Sequence, residues 1–132
     1  MADPITPRPL RGLLGPLGMS ARGMSVQHRF MDVIATNIAN AEVTRGPDGT
    51  AYQRQVAVDD GSGQVRTVAD TGEGRLVYDP GHPDADQLGY VRMPNVDVAT
   101  ETVDLMIARR MYEANASAFS AAKAMLRRAL EI

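Results

Sequence analysis

The stretch Thr100–Ile132 reads TETVDLMIARRMYEANASAFSAAKAMLRRALEI and contains neither Pro nor Gly. It is rich in Ala, Met, Leu and Arg, all of which favour helices. Apolar side chains recur there at spacings of three and four residues, as on one face of an α-helix. This first stripe consists of Val103, Ile107, Met111, Ala114, Ala118, Ala121 or Ala122, Met125, Ala129 and Ile132. The pattern predicts one continuous helix.

A second apolar stripe lies about 100° around the same helix. It repeats every seven residues and consists of Leu105, Tyr112, Phe119 and Leu126. One partner helix covers one stripe, so two stripes require at least two neighbours, supplied by this chain or by other chains. A helix from residue 98 to the last residue of the sequence would be ~50 Å long, which is longer than a compact domain of this size buries. The length therefore indicates an assembly.

The amino-terminal part divides into two pieces. Residues 1–16 carry four prolines, a density that predicts an extended arm without regular structure. From Leu17 to Ala41 the helical period returns, and the turn-rich residues 42–49 should end that helix near Asn40. Gly23 disfavours a helix by ~1 kcal/mol relative to Ala, so a start near Ser25 is the alternative.

Residues 42–96 are predicted to form a β-rich insert between the two helical stretches. Short strand-like runs alternate there with Gly-, Pro- and Asp-rich turns. The runs lie around Val56 and Val58, over Val65–Ala69, over Leu76–Tyr78 and over Tyr90–Met93. The expected fold class is mainly α with a small β insert. An antiparallel, coiled-coil-like pair of long helices, residues 17–41 and 97–132, would form one discontinuous helical domain flanking short β-hairpins.

Composition limits the possible functions. The chain has 132 residues, a net charge of −2 and no cysteine. It lacks the dense basic face of a nucleic-acid-binding protein, and it excludes disulfides and thiolate metal sites. No run approaches the ~18 apolar residues of a membrane span. The start lacks the continuous apolar stretch of a cleavable signal peptide. We therefore expect the protein either to stay in the cytoplasm or to be exported without cleavage.

Candidate chemistry is sparse. Asp79, His82, Asp84 and Asp86 fall within eight residues and could suggest a metal site. Their spacing does not match a calcium loop, and the Pro and Gly residues among them fit a rigid turn with solvated acids better. No motif pairs a nucleophile with a base, and no phosphate loop is present. We expect neither enzymatic activity nor a cofactor or metal ion.

Three asparagines on the predicted helices have two interpretations. Asn37 and Asn40 lie three residues apart on one face, and Asn115 lies in the middle of the second helix. Asn40 could end a helix while the others are half exposed. Alternatively, Asn in a packing seam fixes register and the number of partners. The residues alone leave both possibilities open. The helical methionines are interpreted first as core or seam residues.

Several segments resemble one protein family. Met31–Ala41, MDVIATNIANA, is similar to the amino-terminal signature of bacterial flagellar basal-body rod, hook and related axial proteins. Asn95–Val98 and Asp104–Asn115 resemble their carboxy-terminal signature. Arg75–Asp86, Gly89–Val96 and the ending Met125–Ile132 are similar to the proximal rod proteins of that family. The resemblance covers residues 17–56 and 74–132.

This resemblance implies a structural subunit of the proximal rod that transmits torque. Such proteins leave through the flagellar type III export apparatus without signal cleavage and assemble in the periplasm. Implied partners are other proximal rod subunits, copies of the chain itself, the rod–export-gate adaptor FliE and the distal rod. No nucleic acid and no direct membrane span are expected. The alternative from the residues is a cytoplasmic helical adaptor or export chaperone that binds partner helices.

Two groups of residues are the expected interaction sites. The helix-packing and assembly residues are Met24, Met31, Ile34, Asn37, Ile38, Asn40, Val103, Ile107, Met111, Tyr112, Asn115, Ala118, Phe119, Met125, Leu126 and Ala129. By analogy with the family, a subunit-contact loop is formed by Asp79, Pro80, Gly81, His82, Pro83 and Asp84.

Overall fold

The computed structural model describes residues 8–131 and contains two long helices joined by two small β-hairpins. Helix α1 spans Arg8–Ala39 and helix α2 spans Val98–Glu131. Asn37 of α1 meets Glu101 of α2, and Gly23 lies beside Asn115, so the helices run antiparallel. The expected fold class is confirmed. Within the described residues, no helix is long and apolar enough to cross a membrane.

The start of α1 differs from the sequence expectation. The helix begins at Arg8, whereas an extended arm was predicted over residues 1–16 and a helix only from Leu17. Pro9 is tolerated because it lies in the first turn, where a backbone N–H has no helical partner. Pro16 lies inside the helix, where it removes one hydrogen bond without ending the helix. The prediction was therefore wrong over residues 8–16, and its part over residues 1–7 lies outside the described residues.

Helix α1 ends, and helix α2 begins, close to the expected positions. The amide of Asn40 donates to the carbonyl oxygens of Thr36 and Asn37 at 3.1 and 3.2 Å, which closes the last turn of α1. At the start of α2, the Asp97 carboxylate accepts from the Ala99 amide at 3.2 Å and from the Thr100 hydroxyl at 2.8 Å. Asp97 is thus the N-cap of α2.

The insert forms two separate antiparallel hairpins. In the first, β1 (Gln55–Asp59) pairs with β2 (Val65–Ala69), with Ala57 opposite Thr67. In the second, β3 (Leu76–Tyr78) pairs with β4 (Tyr90–Arg92). Hairpins were expected because no linker between the strands is long enough for a crossover helix. The turn of the first hairpin lies beside α1, where the Arg22 side chain covers Gly63.

The core lies between the two helices. Val26 and Val33 of α1 and Ala108 and Ala122 of α2 are buried. The half-buried members of the second stripe, Leu105, Phe119 and Leu126, lie on the same face of α2 as these alanines. The α1 helix therefore packs against the second stripe. Ala108 and Ala122 allow close approach of the two backbones, and Ala121, the other candidate for the first stripe at that point, is exposed.

Candidate interaction surface at the helix crossing

A buried polar cluster joins the two helices to the first hairpin. Its centre is Asn37, whose side chain is as fully enclosed as that of Glu101 across the interface; each residue is 1% exposed. The Asn37 Nδ2 donates to the Gln55 carbonyl at 2.8 Å and to Glu101 Oε2 at 3.2 Å. Its Oδ1 accepts from the Tyr52 hydroxyl at 2.8 Å and from the Gln55 amide at 2.9 Å. All four hydrogen-bonding positions of the amide are used.

Arg54 completes this cluster. Its Nε forms an ion pair with Glu101 Oε1, and its other nitrogens lie 3.5 Å from Asp70 and 3.9 Å from Asp104. The hydrogen bond with Glu101 raises the pKa of Arg54, and the Glu101, Asp70 and Asp104 carboxylates act in the same direction while burial opposes them. A guanidinium that is half-buried against a buried carboxylate neutralises a charge that would otherwise strongly destabilise the fold.

The cluster also holds the chain on either side of the hairpin. The Arg54 amide donates to Asn95 Oδ1 at 2.7 Å, and Asn95 Nδ2 donates to the Asp70 carbonyl at 2.9 Å. Burial raises the pKa of Tyr52, with a further contribution from the nearby Glu101 carboxylate. Within the described chain, no buried side-chain polar atom lacks a partner. The first hairpin is therefore firmly attached to the helix pair.

A groove opens beside this cluster. It has a volume of about 330 Å³ and is bounded by α1, β1 and α2. Apolar side chains dominate its walls, whereas Arg54, Glu101 and Asp104 lie at one end. The apolar lining residues are Phe30, Val33, Ile34, Val56, Ala57, Ile107, Ala108 and Met111. Strand β1, which the polar cluster holds in place, forms one wall of the groove.

The first stripe of α2 remains uncovered. Its large members Val103, Ile107, Met111 and Met125 are between 49% and 56% exposed, and Ala118 and Ala129 are exposed as well. Ile107 and Met111 also line the groove, so the stripe and the groove form one continuous apolar surface. On the opposite face of α2, Arg109 and Glu113 form a solvent-exposed ion pair at 3.1 Å. The two sides of the helix are therefore chemically different.

The remaining predicted packing residues differ in burial and in their hydrogen-bond partners. Met24, Met31, Ile34 and Ile38 of α1 are half-buried, as are Phe119 and Leu126 of α2. Tyr112 remains 36% exposed. Asn40 caps its own helix by donating to the Thr36 carbonyl at 2.7 Å, and Asn115 donates to the Met111 carbonyl at 2.9 Å. Of the three asparagines, Asn37 alone joins different elements through its side-chain hydrogen bonds in residues 8–131.

The Asp79–Asp84 loop folds back on its own chain. Asp84 accepts from the Thr44 hydroxyl at 2.6 Å and pairs with Arg45, so the loop is attached to the segment that follows α1. The Thr44 hydrogen bond, followed by Arg45, lowers the pKa of Asp84. Among the residues that the structure describes, no three His, Asp or Glu side chains are grouped to hold a metal ion. Asp79, Pro80, Gly81 and Pro83 are exposed, and the contact role of the loop stays a prediction.

The interaction residues predicted from the sequence did not include Tyr52, Arg54, Gln55 or Glu101. A usable signal was present for Glu101. It lies on the same helix face as Leu105, Ala108 and Tyr112, so it continues the second stripe by one turn. A carboxylate in that position requires a buried cation. No local pattern identifies Arg54 as that cation.

Comparison with known proteins identifies the class first. A family model described as "Flagellar basal body rod FlgEFG protein C-terminal" matches residues 87–132, which include β4 and α2. The matched segment is similar to the flagellar basal-body rod proteins, as are the sequence signatures.

Full-length relatives identify the particular family. Proteins named "Flagellar basal-body rod protein FlgC" match from Borreliella burgdorferi, at 36% identity over 92% of this chain and 97% of that protein, and from Yersinia enterocolitica, at 38% over 91% and 97%. The protein of that name from Aquifex aeolicus is 39% identical over 90% of this chain and 96% of its own length. The chain belongs to the FlgC family, and it is a structural subunit of the flagellar basal-body rod.

Proposed function

We propose that this rod subunit joins its neighbours through the uncovered first stripe of α2 and the adjoining groove, and that these contacts transmit torque along the proximal rod. The observation that supports the proposal is the exposure of Val103, Ile107, Met111 and Met125 after α1 has covered the other stripe. A continuous exposed apolar surface of this kind marks a protein–protein interaction site.

The physical argument concerns both stability and stiffness. Burying apolar surface contributes roughly 25 cal/mol per Å², and the same surface is repeated in every copy of an assembly. Side chains that interdigitate along a helix resist sliding because protein interiors are close-packed. The polar cluster around Asn37 and Arg54 keeps the first hairpin fixed against the helices, so a load on one element reaches the others.

Rod proteins assemble with other rod components. For this chain, we propose that the neighbouring components are other proximal rod subunits, the distal rod, the adaptor FliE and copies of the chain itself. The protein reaches the periplasmic part of the basal body through the flagellar type III export apparatus, without cleavage of a signal. The exposed Asp79–Asp84 loop faces neighbouring subunits. The resemblance of both terminal signatures supports these assignments.

The test is rod assembly in cells that lack the native protein. The double variant Ile107→Asp, Met111→Asp places two charges on the exposed stripe without entering the core. We expect cells with this variant to export the protein but to lose complete rods and motility. The matched control is Ser120→Asp, an exposed position on the opposite face of α2, which should keep both. Complete rods with the double variant would overturn the proposal, as would an exclusively cytoplasmic pool of the unaltered protein.

A further inference from the structure

Two hydrogen bonds at the ends of the first hairpin determine which backbone groups of β2 face away from β1. The Asp70 amide donates to the Arg54 carbonyl at 2.8 Å, and the Asp60 amide donates to the Gln64 carbonyl at 3.3 Å. Residues of an antiparallel strand direct their N–H and C=O groups alternately to one side and the other. With this register, the N–H and C=O groups that point away from β1 belong to Val65, Thr67 and Ala69. We call this row of groups the β2 edge.

The other side of the hairpin is protected, whereas the β2 edge is not. On β1, the outward amide and carbonyl of Gln55 bond to the Asn37 side chain at 2.9 and 2.8 Å, as they would to a neighbouring strand. Among residues 8–131, no hydrogen bond reaches the backbone groups of the β2 edge. Thr67 and Ala69 are exposed, and Val65 is half-buried.

The sequence of β2 does not discourage the addition of another strand. Natural proteins protect an edge strand with prolines, lysines, bulges or a covering element. Strand β2 reads VRTVA, pairs in a regular register without a bulge and contains neither Pro nor Gly. Its Val and Thr residues favour the strand conformation. The strands of the second hairpin are only three residues long and offer much shorter edges.

A shallow cavity beside the β2 edge has room for a side chain of an added strand. The cavity has a volume of about 160 Å³ and lies between the hairpin and α1. This equals the space of ~5 water molecules at ~30 Å³ each. Its lining consists of Arg29, Asp32, Val33, Thr36, Gln55 and Thr67. A strand paired with β2 would therefore lie along α1, with every second side chain directed toward the helix.

Three arginines surround this position. Arg29 lines the cavity, Arg66 belongs to β2, and Arg22 lies against Gly63 at the turn of the hairpin. In the described part of the chain, none of the three arginines forms a salt bridge. Their guanidinium groups remain available to the carboxylates of a partner.

Nearby acids do not cancel this positive charge completely. The Asp59 and Asp60 carboxylates accept hydrogen bonds from the turn amides of Gly61 and Ser62 at 2.9 and 2.8 Å. Asp32 lies in the cavity lining and opposes the arginines directly. A second copy of the chain would bring the same arginines to the β2 edge. An acidic segment of another protein complements the edge better.

We propose that the β2 edge binds an extended acidic segment of a partner protein, which pairs with β2 as a third strand of the first hairpin. Backbone hydrogen bonds to Val65, Thr67 and Ala69 supply the affinity, and the arginines select acidic side chains. This surface is separate from the exposed stripe of α2 and from the groove beside it. The proposal therefore goes beyond the proposed function and adds a second kind of contact.

The first test uses the full chain and two synthetic probes in fluorescence polarisation. One probe is a fluorescein-labelled peptide of seven alternating Val and Glu residues with both ends capped, and the matched control has Lys in place of each Glu. We expect the Glu peptide to bind saturably and to weaken as salt is added. The Lys peptide should bind at least about tenfold more weakly.

Hydrogen exchange measured by NMR identifies the site on the unaltered protein. The amides of Val65, Thr67 and Ala69 should exchange more slowly when the Glu peptide is bound, because they gain hydrogen-bond acceptors. The amide of Val68 faces β1 and should change much less. Bound peptide without added protection at Thr67 would overturn the proposal, as would equal binding of the Lys peptide.

Variants separate the backbone contact from the charge contact. Thr67→Pro removes the central outward N–H without removing a bond to β1, and it should weaken Glu-peptide binding about tenfold or more. Thr67→Val keeps that N–H and should bind normally. Arg29→Glu should weaken binding about fivefold or more, whereas Arg128→Glu, an exposed change near the end of α2, should not. Circular dichroism verifies that each variant is folded.

Unchanged binding by folded Thr67→Pro would contradict strand addition. Sedimentation velocity without peptide tests the other occupant: a dimer that Thr67→Pro abolishes would assign the β2 edge to a second copy and overturn the proposal. If the Glu peptide does not bind while Ile107→Asp, Met111→Asp still abolishes rods in cells, the strand addition alone is wrong. Rod assembly through the α2 stripe then stands.

Discussion

Asn37 and Glu101 lie 64 positions apart in the chain, and their side chains meet in the interface between α1 and α2, with Nδ2 and Oε2 3.2 Å apart. The same Asn37 side chain holds the start of the first hairpin through Tyr52 and Gln55. One amide therefore determines how two helices and a hairpin fit together. A polar residue in a packing seam specifies register because a shifted alignment would leave its partners unsatisfied.

Replacing Asn37 with Ala should destabilise the fold by about 3 kcal/mol or more, because the Tyr52 hydroxyl and the Gln55 amide would each lose a partner. Urea unfolding of the dilute protein measures the change. Asn40→Ala is the control, since Asn40 donates only to its own helix and its loss should change stability by about 0.5 kcal/mol or less. Equal effects of the two substitutions would show that the cluster does not determine the packing.

The Arg54–Glu101 pair should behave as a coupled unit. Arg54→Met leaves a buried carboxylate without its main cation and should lower the free energy of unfolding by about 3–5 kcal/mol. Adding Glu101→Leu removes the uncompensated charge, so the double variant should be more stable than the sum of the single effects predicts. A double-mutant cycle on urea midpoints measures the coupling. Strict additivity would contradict the assigned pairing.

Alkaline pH should weaken the fold through Tyr52. Its pKa is raised above the ordinary value of 10.0 by burial and by the Glu101 carboxylate. A raised folded-state pKa means that the contribution to stability is complete below about pH 10 and is lost as pH rises through the folded value. The unfolding midpoint should therefore fall more steeply in that range for the unaltered protein than for Tyr52→Phe. Parallel pH profiles would contradict this assignment.

Comparing Gly23→Ala with Gly18→Ala separates the effect of helix propensity on stability from the effect of packing. A Cβ added there would lie 2.6 Å from Asn115 Oδ1, so the Asn115 side chain would have to move. Gly18→Ala, where open space surrounds the position, should stabilise the helix by up to about 1 kcal/mol. Gly23→Ala should give less than that or destabilise, and the gain should return when Asn115→Ala is added. A full gain from Gly23→Ala alone would mean that Asn115 moves freely.

The helices and hairpins could be predicted from local pattern. Residues 98–131 contain no helix breaker and show an unbroken 3.6-residue period, and the Gly-rich turns separate short alternating strands. The predicted start of α1 was wrong because the density of prolines suggested an extended arm, although Pro9 is compatible with the first turn of a helix. The residues indicated two stripes on α2 without showing which one meets α1. The buried Ala108 and Ala122 explain the outcome, since they permit the closest helix approach.

The polar cluster could not be predicted from the sequence. Arg54 and Glu101 are 47 positions apart, and pairing across such a distance depends on how the insert returns to the helices. Local periodicity carries no information about that return. The signature around Asn37 indicated the family, but the partners of Asn37 become visible only in the folded chain.

The central claim is that neighbouring subunits cover the exposed stripe of α2 in the rod. A side-chain-resolution map of the basal body assembled with this protein tests it most directly. We predict that Val103, Ile107 and Met111 lie within ~4 Å of apolar side chains from adjacent subunits, with the first hairpin still attached at Asn37. A map in which these three side chains face solvent would contradict the account.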